Sequence, residues 1–151
     1  MRSYEYKSIG LFPGRERPAV MEKRLKIMIV DDEPIVGKRL KQALNKSGVY
    51  VEIFEDSSRA LNRLSKKIFD IVVTDVRMDE VGGIQLLEYI GAHSKRTKVI
   101  IITGYASVET AQEALAKGAF DFIAKPFKPD DLRAAVNKAA LALGFSNITS
   151  I

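Results

Sequence analysis

Three uninterrupted apolar runs, Ile27–Val30, Ile71–Thr74 and Val99–Ile102, constrain this chain more than any other feature. A strand with one wet face alternates apolar with polar; a strand apolar at every position is covered on both faces, as in a parallel sheet between two helical layers. Each run stops on a polar residue: Asp31-Asp32, Asp75 and Thr103. Helical stripes fill the intervals. Pro34 suits a first turn, and Ile35, Val36, Leu40, Ala43 and Leu44 share one face before Gly48, read as a C-cap. Val49–Phe54 forms a second strand, with Glu52 suited to a sheet edge, and Asp56 or Ser57 caps a short helix bearing Ala60, Leu61 and Leu64. A helix with Ile84, Leu87 and Ile90 follows the third strand. Ser107 is read as the cap of one with Val108, Ala111 and Leu115, closed by Gly118. Phe120–Ala124 is the last strand, and Pro129 opens a helix with Leu132, Ala135, Val136, Ala139 and Leu143 that ends at Gly144. Five strands alternating with five helices predict right-handed crossovers and an α/β parallel sheet covered on both sides.

Composition narrows the class. At 151 residues and 46% hydrophobic, the chain suffices for one domain with a real core. It has no cysteine, and hence no disulfides or thiolate metal sites. No apolar run approaches the roughly 18 residues of a spanning helix, so a cytoplasmic protein with no membrane insertion is expected. Residues 1–25 hold six Lys/Arg against three Glu, leaving 18 basic and 16 acidic residues in the remainder. A nearly balanced body is expected not to bind nucleic acid directly. Residues 1–24 read as a flexible basic extension, with Ile9–Phe12 available for local docking, residues 25–144 as the domain, and residues 145–151 as a short tail without an effector module.

All carboxyl ends of a parallel sheet lie on one edge, where α/β proteins build their sites. Asp31, Asp32, Asp75, Thr103 and Lys125 therefore converge if their strands are neighbours. Each residue alone has a bland explanation: an acidic pair before a helix favours its dipole, and Lys-Pro is an ordinary loop dipeptide. Together, three carboxylates need a counter-ion. Oxygen-only ligands suit Mg²⁺, which keeps several waters and phosphate oxygens. Lys125 supplies a compact positive charge and Thr103 a hydroxyl donor. The set suits a phosphoryl group carried on Asp75 as nucleophile.

The motifs Ile29-Val30-Asp31-Asp32-Glu33-Pro34, Val72-Val73-Thr74-Asp75-Val76-Arg77-Met78 with Gly83, Ile101-Ile102-Thr103-Gly104 and Gly118–Phe127 resemble the receiver domain of two-component response regulators. The wording from Gly104 to Phe127 is nearest to receivers of the nitrogen- or dicarboxylate-response type. The resemblance covers about residues 25–144 and implies a flavodoxin-like (βα)5 fold with strand order 2-1-3-4-5. It implies that Asp75 accepts phosphate from a histidine kinase or phosphotransfer protein, with Mg²⁺ on Asp31, Asp32, Asp75 and the Arg77 carbonyl. Thr103 and Lys125 would contact phosphoryl oxygens, Thr103 and Phe122 would form the switch, and Lys125-Pro126 would be cis. The face of the fourth helix, fifth strand and fifth helix would then meet a downstream protein or a second copy. The family usually has proline four residues after the acceptor; here it is Asp79, which leaves loop order there open. Arg77 and Tyr105, both bulky, are placed to shield the phosphoryl group from water. A haloacid-dehalogenase phosphatase needs an acid at position 77, which is Arg. Neither a Walker loop nor G-x-G-x-x-G is present. His93, the only histidine, is expected to be exposed at the end of the third helix. The remaining alternative is a degenerate receiver acting as a phosphorylation-independent interaction module.

Overall fold

A computed structural model describes residues 24–45, 48–76, 82–104 and 108–145. The expectations for the extension before Arg24, for Arg77, Asp79 and Tyr105, and for the Ser107 cap fall outside these residues. The elements run β1 (Leu25–Val30), α1 (Pro34–Ala43), β2 (Val49–Phe54), α2 (Ser57–Leu64), β3 (Ile71–Asp75), α3 (Gly83–His93), β4 (Lys98–Thr103), α4 (Val108–Ala116), β5 (Asp121–Ala124) and α5 (Pro129–Ala142). The strands form one parallel sheet in the order β2-β1-β3-β4-β5, as the resemblance implies.

Continuous apolarity is explained by two cores. Ile27, Ile29, Ile71, Val73, Ile100 and Ile102 face α1 and α5, against Leu40, Leu132 and Val136. Met28, Val30, Val72, Val99 and Ile101 face the other layer, with Ala60, Leu86, Leu87 and Ala114. Successive side chains of one strand alternate between the layers, so every position must be apolar. The edge strand β2 is less buried. There Arg63 grips Glu52 with two bonds (Nε–Oε1 3.0 Å, Nη2–Oε2 2.9 Å) and Tyr50 donates its hydroxyl to the same carboxylate. Charge on an edge strand discourages pairing with another chain.

Several local expectations hold. Asp56 caps α2 by accepting the Ser58 N–H at 2.8 Å, Pro34 and Pro129 open their helices, and Lys125-Pro126 is cis. Others need correction. Helix α1 ends at Ala43 with Leu44 as its cap. Gly48, at φ +86°, instead leads into β2, its carbonyl accepting the Leu25 N–H at 2.9 Å. Ile35 is 63% exposed, because in the first turn Val36 and Gly37 face the sheet. Leu115 is 50% exposed, since Ala114 takes the buried position in α4.

One close approach ties the fold to the carboxyl end of β3. A Cβ on Gly83 would lie 2.3 Å from the Asp75 carbonyl oxygen and 2.9 Å from the Val76 Cα. The Gly83 N–H also bonds the Val76 carbonyl at 3.1 Å, so the start of α3 rests on the backbone beside Asp75. The blocking atoms are backbone, and relief requires moving the strand end. Gly83→Ala is expected to destabilise by about 1–3 kcal/mol, the usual cost of overpacking. Gly91→Ala in the same helix, with open space around its Cβ, is expected to be neutral or stabilising by up to about 1 kcal/mol. Urea midpoints measure both; equal midpoints for the two variants would show that the Gly83 approach is not a constraint.

Candidate functional site at the carboxyl edge of the sheet

Register and alternation place the functional side chains. Val30 lies beside Thr74 and Asp75 beside Ile102, so Asp31 and Asp75 emerge next to each other from adjacent strands. Thr103 pairs with Ala124, and the next residue, Lys125, donates its N–H to the Thr103 carbonyl at 2.9 Å. Asp31, Asp75 and Lys125 continue the parity of Ile29, Val73 and Ile123, on the α1/α5 side. Thr103 and Phe122 share the parity of Ile101, on the opposite side. The site straddles the edge of the sheet.

Lys125 joins the buried carboxylates. Its Nζ lies 3.0 Å from Asp75 Oδ2 and 3.5 Å from Asp31 Oδ2, with Glu33 Oε1 at 3.8 Å. Asp31 is 2% exposed, Asp75 9% and Thr103 0%. Asp31 Oδ1 accepts the Glu33 N–H at 2.9 Å, which fixes the carboxylate at the start of the β1–α1 turn. Asp32, in contrast, is exposed. The carboxylate crowding expected from sequence thus falls on Asp31 and Asp75. A strand-end acid points inward by parity, and its chain neighbour points out.

Burial pushes the Asp31 carboxyl above its usual range, and the Asp75 charge adds to the effect; the Glu33 N–H and Lys125 oppose it without cancelling it. For Lys125, burial lowers the ammonium pKa, but the hydrogen bond to Asp75 and the charges of Asp31 and Asp75 outweigh it, so the net shift is upward. An acid raised in the folded state contributes its stability at low pH. That contribution is lost as pH climbs from about 3.8 through the raised value. A lysine raised in the folded state contributes below about 10.5, and its contribution is lost as pH rises through the folded value. Asp31 is therefore a liability of the native state near neutrality, and Lys125 an asset.

The donor set is all oxygen, which fits Mg²⁺. Among the described residues no group of three or more acidic or imidazole side chains is clustered closely enough to hold an ion unaided. Mg²⁺ takes one or two carboxylates and completes its shell with water and phosphate oxygens, and Asp31 and Asp75 are the carboxylates that Lys125 joins here. Sequence reasoning gave Glu33 and Gly83 no role beyond their place in a motif. The Glu33 backbone orients Asp31, its side chain approaches Lys125, and Gly83 permits the fit of α3 against β3. Gly82-Gly83 was a visible signal, but only the packing shows what it is for. His93 is exposed at the end of α3, stacked on Tyr89 and remote in the fold from the carboxyl edge.

Comparison with known proteins agrees with this geometry. Residues 27–137 match the response regulator receiver domain family. The chain is 41% identical over 114 residues to the regulatory protein AtoC of Escherichia coli (strain K12), covering 76% of this chain and 25% of that protein. It is 36% identical over 113 residues to the transcriptional regulatory protein FixJ of Bradyrhizobium diazoefficiens, covering 75% and 55%. It thus spans about a quarter of AtoC and of its similar relatives, the transcriptional regulatory protein ZraR and the response regulator protein PilR. A receiver domain from Clostridium thermocellum superposes with a TM-score of 0.73 at 30% identity, covering 78% of this chain and 94% of that one. The beryllofluoride-activated NtrC4 receiver dimer gives 0.74 at 28%, covering 79% and 98%. The chain belongs to the receiver-domain family of two-component response regulators.

Proposed function

We propose that this domain is a phosphorylation switch whose acceptor is Asp75. The observation that carries the reading is the Lys125 ammonium, 3.0 Å from an Asp75 carboxylate oxygen at the end of the central strand. An oxygen of Asp75 attacks the phosphorus of a phosphohistidine on a kinase or phosphotransfer protein. The P–N bond breaks, and the imidazole nitrogen leaves with the electron pair and takes a proton. Lys125 and Thr103 would hold the phosphoryl oxygens, Lys125 by charge and Thr103 by its hydroxyl. Asp31, Asp32, Asp75 and the Arg77 carbonyl would hold Mg²⁺, which supplies positive charge against the phosphoryl group and the attacking carboxylate. Asp31 and Asp75 present buried oxygens for this, Asp32 an exposed one, and Arg77 lies outside the described residues.

The switch in this reading crosses the sheet edge. Thr103 and the half-buried Phe122 share a face, one diagonal step apart in the β4–β5 register. A pull on Thr103 would shift Phe122 and the α4–β5–α5 surface, where a downstream protein or a second copy binds. The domain would work in the cytoplasm, and its only chemistry would be its own phosphotransfer and slow dephosphorylation.

Asp75→Asn is expected to abolish phosphorylation by a small phosphodonor with Mg²⁺, read as gain of a phosphoryl mass on the intact protein. Labelling that persists in the variant would move the acceptor elsewhere. No labelling of the parent protein would favour the interaction-module alternative.

Because Asp31 and Asp75 share one lysine, millimolar Mg²⁺ is expected to raise the melting temperature. In metal-free buffer at pH 7, Asp31→Asn is expected to melt a few degrees higher than the parent, the response of a domain this size to about 1 kcal/mol. The gap should close as pH falls through the raised Asp31 value, where the parent's Asp31 also becomes neutral. A variant that melts lower at pH 7 would mean that Lys125 over-compensates the Asp31 charge.

A further inference from the structure

The charges of this protein are segregated along the strand direction. The carboxyl edge carries Asp31, Asp32, Glu33, Glu55 and Asp56 on the loops after β1 and β2 and Asp75 at the end of β3, against Lys125 and Lys128 after β5. The opposite edge is formed by the start of β1 and the α2–β3, α3–β4 and α4–β5 loops, and it is basic. Arg24 and Lys26 lie at the start of β1, Lys66 and Lys67 before β3, and Lys95, Arg96 and Lys98 at the start of β4. These three strands are adjacent in the sheet, so the cations form one row.

The acids on this edge are already engaged. Asp70 accepts the Lys26 backbone N–H through Oδ2 at 2.8 Å, while its Oδ1 lies 3.9 Å from Arg96 Nε. Asp121 is 3.8 Å from Lys138. Among the described residues Arg24, Lys26, Lys66, Lys95 and Lys98 have no carboxylate partner. Aromatic rings hold two of these cations without neutralising them: the Arg24 guanidinium is 5.9 Å from the Tyr50 ring and Lys98 Nζ 5.6 Å from Phe120, whereas Lys67 lies 3.9 Å from Glu52. Residues 1–23, which enter the fold at this edge, add five Lys/Arg against three Glu.

A row of cations that no described carboxylate neutralises, on strands about 4.8 Å apart, would be attracted to a densely charged polyanion. Duplex nucleic acid presents one charge per about 1.7 Å of axis. Among the described residues, the exposed large apolar side chains here are Ile68 on this edge and Leu141 at the adjoining end of α5, too few to favour a lipid surface over a polyanion. We propose that the amino-terminal edge of the sheet, centred on Arg24, Lys26, Lys66, Lys95 and Lys98, binds the phosphate backbone of duplex nucleic acid without reading its sequence. This replaces the expectation drawn from total charge. It is independent of phosphorylation, since its residues lie at the opposite edge from Asp75.

The test is fluorescence anisotropy of a labelled duplex of about 20 base pairs with the full chain at several salt concentrations. Affinity in the micromolar range at low salt is expected, falling steeply with salt. Lys26→Glu/Lys66→Glu/Lys95→Glu, all at exposed positions, should weaken binding at least tenfold. It should also reduce the slope of log affinity against log salt by about 3, at about 0.9 per lost phosphate contact. Lys38→Glu/Arg39→Glu/Lys41→Glu makes the same charge change on exposed positions of α1 and should weaken binding less than about threefold. If the first variant does not fold, Lys66→Ala/Lys95→Ala against Lys38→Ala/Lys41→Ala gives the same comparison with a smaller ratio. Equal losses in both variants would reduce the effect to net charge and overturn the proposal. Undiminished binding by the first variant would assign it to residues 1–23 and overturn it too. So would binding to phosphatidylglycerol vesicles without binding to the duplex.

Discussion

The carboxyl edge of this sheet depends on the Lys125 ammonium, which stands between two carboxylates that water hardly reaches. Removing a carboxylate from water is costly unless a partner and hydrogen bonds compensate. Asp75 has Lys125 at 3.0 Å, and Asp31 has the more distant Lys125 together with the Glu33 N–H. Among the described residues, one ammonium stands between these two carboxylates. Burial, with the Asp75 charge adding to it, raises the Asp31 carboxyl above its usual range. Carboxylate oxygens gathered in this way would suit a small hard cation.

The architecture makes this arrangement possible. The central strands are apolar along their whole length because helices cover both faces, and the chain becomes polar only where the strands emerge. Alternation then sorts the emerging residues. Asp31, Asp75 and Lys125 fall on the α1/α5 side, and Thr103 and Phe122 on the side packed by α4. Charge collects on one side of the edge, and Thr103 and Phe122 lie on the other.

Much of this was legible in the sequence, for a physical reason. Continuous apolar runs have few alternatives to a doubly covered parallel sheet, and a parallel sheet gathers its carboxyl ends on one edge. What could not be read depends on contacts between elements. Whether Ile35 or Val36 faces the sheet is set by how α1 settles against its neighbours. Leu115 gives way to Ala114 because a small residue lets α4 lie close. Gly48 carries a helix-ending signal but spends its left-handed conformation on the entry to β2. Asp31 and Asp32 are indistinguishable as a dipeptide, yet parity buries one and exposes the other. The charge balance is another such case: a sum over the body hides an acidic edge and a basic edge, separated by the topology.

The balance at Lys125 is open to one direct measurement, the Mg²⁺ affinity of Lys125→Ala against the parent, by calorimetry at pH 7. In the proposed site the lysine ammonium and Mg²⁺ would compete for the same oxygens of Asp31 and Asp75, because like charges in one site repel. Several-fold tighter Mg²⁺ binding by the variant is the expected result. Unchanged or weaker binding would mean that Lys125 does not hold those carboxylates in balance, and would contradict this view of the site.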